Sequence, residues 1–156
     1  MITVYVWKSR KTSSGKNVGH SSMMVSGHTY ISWWPEETAG LGRDYHPIRN
    51  QTYEKDVEYE ACKPDWAIKL QGLNETAILK WWANFGLVKD GTLLDGPLPP
   101  YNITRLNCST VVAIALKVGD GDKHTPWYAT WNTWNIVWTP DDVLQYSLSI
   151  QNGLRH

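Results

Sequence analysis

Apolar and polar positions alternate along residues 2–6, 18–25 and 28–34, the period of a strand. Ser26-Gly27 separates the last two runs and supplies the positive φ of a hairpin turn. Pro35 stops the second of them. Residues 8–16, with Ser13, Ser14 and Gly15, read as a loop, and so does the Gly- and charge-rich stretch 36–50. Residues 53–59 and 65–70 read as further strands. The period then changes. Ile78, Leu79, Trp82 and Phe85 fall on one helical face behind Gly72-Leu73-Asn74, with Asn74 as N-cap and Gly86 as the stop. Residues 91–100 form a Gly/Pro loop. A second helix through Val111-Val112-Ala113-Ile114-Ala115-Leu116 starts at Cys108 or Ser109 and ends at Gly119. Residues 119–138 are irregular. Thr139-Pro140-Asp141-Asp142 opens a third helix with a Thr cap, Pro at N1 and acids in the first turn. Strands first and helices after predict an α+β fold, an antiparallel sheet with helices packed on it. No repeat or linker interrupts residues 1–156, so a single domain is expected.

Composition narrows the function. Lys plus Arg is 15 and Asp plus Glu is 15. A neutral chain is not a nucleic-acid binder driven by bulk charge. No apolar run approaches ~20 residues, so no transmembrane segment is expected. The start, Met-Ile-Thr-Val-Tyr-Val-Trp-Lys, lacks the order of a signal peptide, so the chain is expected to be cytoplasmic or exported by another route. Asn-x-Ser/Thr triplets at Asn50, Asn74, Asn102 and Asn107 point the other way. Ten Trp and eight Tyr stand against one Phe. Trp carries an N–H that wants a partner, so this is not an ordinary aromatic core.

There are two cysteines, Cys62 and Cys108, too few for a disulfide scaffold. They are buried thiols, a single bridge, or a nucleophile and a bystander. Cys108 follows Arg105-Leu106-Asn107 at the start of the apolar helix. Unpaired N–H groups and the positive dipole end favour a thiolate there. The same N–H groups can receive an oxyanion. Asn107 is either the N-cap or a side-chain amide lining that oxyanion site, with Ser109 beside it. A thiolate wants a base. His20 opens a hairpin strand behind Gly19, which leaves room for close approach. Metal binding is not expected, since there is no Cys-x-x-Cys and no paired His motif, and no cofactor is called for.

His20-Ser-Ser-Met-Met on one strand, Tyr30-Ile-Ser-Trp-Trp-Pro35 on the next, and Asn107-Cys108 opening a helix resemble the circularly permuted papain-like cysteine enzymes. These include the permuted NlpC/P60 and lecithin–retinol acyltransferase-like families and related toxin-type domains that attach fatty acyl groups to lysine. The resemblance implies that architecture, a Cys108 nucleophile and a His20 base. It also implies a polar orienting residue on the second hairpin strand, and aligning the His and the Pro places Ser32 there. Parity decides whether Ser32 reaches His20. A two-residue turn puts Ile31 on the face of His20, and a three-residue turn puts Ser32 there. A backbone carbonyl, His28 or Asp44 are the other orienters.

The chemistry expected is attack of a thiolate on an ester, thioester or amide carbonyl, giving a thioester acyl-enzyme. Water would then make a hydrolase and an amine an acyltransferase; a peptidase would use the same residues. The substrate is an acyl-bearing lipid, peptide or protein. Trp33, Trp34, Trp127, Trp131 and Trp134 are candidates to wall its groove. The rival readings are a Trp-rich module that binds glycans or proteins, and a fold relative without turnover.

Overall fold

The computed structural model describes residues 1–12, 15–36, 39, 41–49, 52–85, 101–126 and 137–155. Ile2–Trp7 forms β1. Arg10–Thr12 and Gly15–Asn17 form β2 and β3, a small hairpin where a plain loop was expected. His20–Val25 is β4 and Thr29–Ile31 is β5. Trp34–Pro35 (β6) pairs with Pro47–Ile48 (β7), a short ladder inside the second expected loop. Tyr53–Glu60 is a helix, α1, followed by β8 at Trp66–Leu70 and α2 at Glu75–Asn84. Cys108–Val118 is α3, Gly121–His124 a 3₁₀ turn, and Pro140–Gly153 is α4. The Gly86 stop and the 91–100 loop lie outside the described residues.

The main sheet is antiparallel in the order β5-β4-β1-β8. Its two faces differ in chemistry. Ile2, Val4, Val6, Met23, Val25, Ile31, Ile68 and Leu70 are buried and share one face. Against it pack α2, α3 and α4 through Ile78, Val111, Val112, Leu116, Val143 and Ile150, forming one core. The opposite face carries Tyr5, Trp7, His20, Ser22 and Tyr30. There α1 packs on the sheet, with Tyr53 against Tyr5, Trp7 and Tyr30.

Each helix begins as its sequence directs. The Asn74 side chain accepts from Ala77 N–H at 3.0 Å. Asn107 and Thr110 form a reciprocal capping box on α3. Thr139 and Asp142 do the same on α4. Such caps are worth about 1 kcal/mol each. The C-terminus of α2 has no basic residue of its own. Arg49 supplies the charge, donating to the carbonyls of Trp82 and Phe85 and lying over the Trp82 ring.

Helix α1 corrects the strand expected over 53–59. Thr52 caps it through Lys55 N–H, and Glu54 and Asp56 occupy its first turn. Its buried residues are Asp56 and Glu60, one helical turn apart. A helix that buries carboxylates shows no apolar stripe, so the period of 3.6 is invisible to hydropathy.

No helix among the described residues is long and apolar enough to cross a membrane.

Candidate active site

The β4–β5 register sets the site. Val25 pairs with Thr29 and Met23 with Ile31, so the turn has three residues, Ser26, Gly27 and His28. Ser26 and Gly27 take positive φ at the centre of a turn that the His28 N–H closes on the Val25 carbonyl at 3.2 Å. This register carries Ser32 to the same face as His20 and turns Trp33 to the other. Trp33 is fully buried against Phe85 in the core, so it walls no groove. Trp34 stacks on the His20 ring at 4.2 Å between centroids, and Trp7 lies on it at 5.5 Å. Both indoles satisfy their N–H groups: Trp7 donates to the Cys62 carbonyl at 2.9 Å and Trp34 to Asp56 Oδ1 at 2.7 Å.

Gly19 precedes His20 at φ +83°, and a Cβ there would sit 2.4 Å from the Trp7 carbonyl oxygen. Only glycine lets the chain enter β4 this close to the end of β1. His20 is then held at the open end of the sheet, 1% exposed.

Asp56 is the group that the sequence reading missed. Its Oδ2 lies 3.0 Å from His20 Nε2. Ser32 Oγ lies 3.2 Å from the same nitrogen and donates to both carboxylate oxygens at 3.0 Å. Tyr30 donates to Asp56 Oδ2 at 2.7 Å, backed by Ser22 at 2.6 Å. A buried carboxylate with His20, Ser32, Tyr30 and Trp34 as partners is fully satisfied. Burial alone would raise its pKa, but the hydrogen bond and charge of His20, then Tyr30 and Trp34, hold it below the ordinary carboxylate value. Ser32 thus touches His20 yet stands beside a charged anchor. The other proposed orienters are engaged elsewhere: Asp44 accepts from Asn102 at 2.7 Å, and His28 meets the Ser26 carbonyl at 2.9 Å.

With Nε2 committed to Asp56, Nδ1 is the nitrogen left for the thiol. Cys108 and His20 line one cavity, and the charge of each acts on the other. Burial pushes the thiol up, but the His20 charge and hydrogen bond, the Ser21 backbone N–H and the Ser109 hydroxyl carry the pKa below its ordinary value. Burial likewise pushes His20 down. The Cys108 charge and the hydrogen bond to Asp56 outweigh it and raise His20 to about 10. Each group thus favours the charged form of the other. Cys62 is a free thiol, as is Cys108.

Asn107 resolves to its capping alternative. Its Nδ2 donates to the carbonyls of Ile103 at 2.8 Å and Trp138 at 2.9 Å, and its Oδ1 accepts from Thr110 N–H at 2.9 Å. No amide hydrogen is left for an oxyanion. Ser109 Oγ bonds Ser21 Oγ at 3.0 Å, tying the start of α3 to β4.

Two cavities open on Cys108. One, of about 360 Å³, is lined by Val6, Val18, Trp66, Ile103, Val137 and Trp138 along with Cys108. The other, about 530 Å³, runs past His20, Trp34, Asn17 and Glu60. Glu60 accepts from Asn17 Nδ2 at 2.8 Å, and burial raises its pKa. Trp127, Trp131 and Trp134 lie outside the described residues.

A buried carboxylate, imidazole and thiol thus stand together on an α+β fold. The chain belongs to the IcsB middle domain family, whose model matches residues 41–156. That match takes in Asp56 and Cys108 and begins after the hairpin that carries His20. No curated protein and no solved structure matches the chain.

Proposed function

We propose that this protein is a cysteine-dependent acyl-transfer enzyme of the permuted papain-like kind, acting as an acyltransferase or an amide or ester hydrolase. The observation that carries the reading is the buried chain Asp56–His20–Cys108 at the mouth of an apolar cavity.

The Cys108 thiolate attacks the carbonyl carbon of an ester, thioester or amide, and the C=O pair moves onto oxygen. The N–H groups at the start of α3 face that charge. On collapse the leaving group departs with a proton from His20 Nδ1, leaving a Cys108 thioester. Asp56 keeps His20 oriented with its proton on Nε2 and stabilises the imidazolium. The acyl portion lies in the apolar cavity. The second cavity admits the group that accepts the acyl unit, with His20 taking its proton. An amine there makes the enzyme a transferase, and room for an acceptor larger than water favours transfer. A peptidase would use the same residues on a peptide bond.

Incubation with p-nitrophenyl octanoate followed by intact-mass measurement tests this. A mass gain of one octanoyl group on the wild type, absent from Cys108→Ala, supports it. Wild type that neither gains mass nor releases nitrophenol beyond the buffer rate sinks it.

A further inference from the structure

Once the Asn107 amide is spent on the cap, the oxyanion site has the Cys108 N–H but no side-chain donor assigned. The loop before α3 brings one. Asn102 and Leu106 exchange backbone hydrogen bonds at 3.0 and 2.9 Å, closing a tight turn. The Asn102 side chain fills that turn, accepting from Thr104 N–H at 3.0 Å and Arg105 N–H at 3.2 Å. An antiparallel 102–106 pairing sets Tyr101 beside Asn107 and the first residue of α3. From its other side Tyr101 is clamped to Tyr45 by two backbone bonds, 2.8 and 2.9 Å. Tyr101 is 7% exposed, and with Cys108 it lines both cavities that open on the thiol.

We infer that Tyr101 is a further catalytic residue, the side-chain donor of the oxyanion site. This rests on the acyl-transfer reading and deepens it. The phenol and the thiol share the walls of both cavities, close enough for the charge of Cys108 to act on Tyr101. Burial, and then the Cys108 charge, raise the phenol pKa, so Tyr101 stays protonated while the thiolate forms. When the thiolate attacks, negative charge leaves Sγ and appears on the substrate oxygen. That oxygen takes the Cys108 N–H, and the Tyr101 O–H turns from sulfur to follow the charge. No proton is transferred; Tyr101 returns to sulfur when the leaving group is expelled. A donor that tracks moving charge binds the transition state more tightly than the ground state.

Tyr101→Phe separates this from a role in tuning the thiol. Two reactions of Cys108 are compared in full-length protein: acylation by p-nitrophenyl octanoate, which forms an oxyanion, and alkylation by iodoacetamide, which forms none. The expected result is acylation slowed about 10²-fold, the usual effect of losing one oxyanion donor, with alkylation within about threefold of wild type. Retained alkylation also reports an intact Cys108–His20 pair, so loss of fold is not mistaken for loss of a donor. Acylation within threefold of wild type, or both reactions falling together, overturns the assignment while leaving the acyl-transfer reading in place. Wild type that is alkylated but never acylated overturns both.

Discussion

His20 Nε2 and Asp56 Oδ2 meet at 3.0 Å, one from the first residue of a strand and one from the middle of a short helix. A carboxylate in this position orients the imidazole and stabilises its charged form, and loss of such a charge costs up to about 10⁴-fold in turnover. Asp56→Asn should therefore lower kcat/KM about 10²–10⁴-fold. Ser32→Ala, which removes a neutral contact, should cost less than about tenfold. Steady-state kinetics on the same ester checks the ranking, and the reverse order would make Ser32 the orienter.

The acid limb of stability should carry the mark of the same residue. Burial opposes the Asp56 charge, but His20 and the other partners win and its pKa falls below the ordinary 3.8. Near that pH the unfolded chain binds more protons than the folded one, so stability is present above 3.8 and drains as pH falls. Urea titrations at stepped pH should show a shallower acid decline in Asp56→Asn than in wild type.

Labelling distinguishes the two thiols. Cys108 should react with iodoacetamide at neutral pH far faster than Cys62, with its rate rising at a pH below the ordinary thiol value of 9.0. Removing the imidazolium in His20→Ala takes away the opposite charge, so the rise should move upward in pH. Turnover in wild type should decline as His20 loses its proton near pH 10, while alkylation does not. Peptide mapping after timed labelling measures each site, and equal slow labelling of both cysteines would falsify the pairing.

Gly19→Ala should be strongly destabilising. Positive φ alone costs a non-glycine residue about 1–3 kcal/mol, and the added methyl would meet backbone atoms of Trp7 and Lys8 that cannot swing aside. Denaturant midpoints check this; a shift of under about 0.5 kcal/mol would mean that the β1–β4 approach is looser than described.

Val18 is 62% exposed at the rim of the apolar cavity, so it can be changed without disturbing the core. Val18→Asp sets a charge where an acyl chain would lie. The expected loss is about tenfold in kcat/KM for p-nitrophenyl octanoate, one decade being about 1.4 kcal/mol, with p-nitrophenyl acetate within about twofold. Equal loss on both esters would place the acyl chain elsewhere.

Much of this site could be read from the chain before any coordinates. The caps of α2, α3 and α4 are local side-chain chemistry, and Asn74, Asn107 and Thr139 announce them. A Cys at a helix start and a His behind a glycine are likewise legible. Asp56 was not, because α1 turns carboxylates rather than apolar side chains inward. The trace it left was Thr52 followed by Glu54 and Asp56, a capped acidic first turn, with Glu60 one turn on. Ser32 and Trp33 hinged on turn length. One residue more in the hairpin exchanges the faces, and Ser26-Gly27 fits either count. Tyr101 depended on a loop closure between Asn102 and Leu106, a tertiary event with no periodicity to reveal it.

The alternation along β4 has an evolutionary corollary. Met23 and Val25 answer to the volume of the helical core; His20 and Ser22 answer to the charge network around Asp56. Neighbouring codons in one strand therefore meet different selective filters. The core-facing codons can drift among side chains of similar bulk without disturbing the chemistry. The network-facing codons are held instead by the hydrogen bonds that satisfy a buried carboxylate. Ser21 stands apart, since it turns toward the core yet bonds the Ser109 hydroxyl beside Cys108, and there the two filters act on one position.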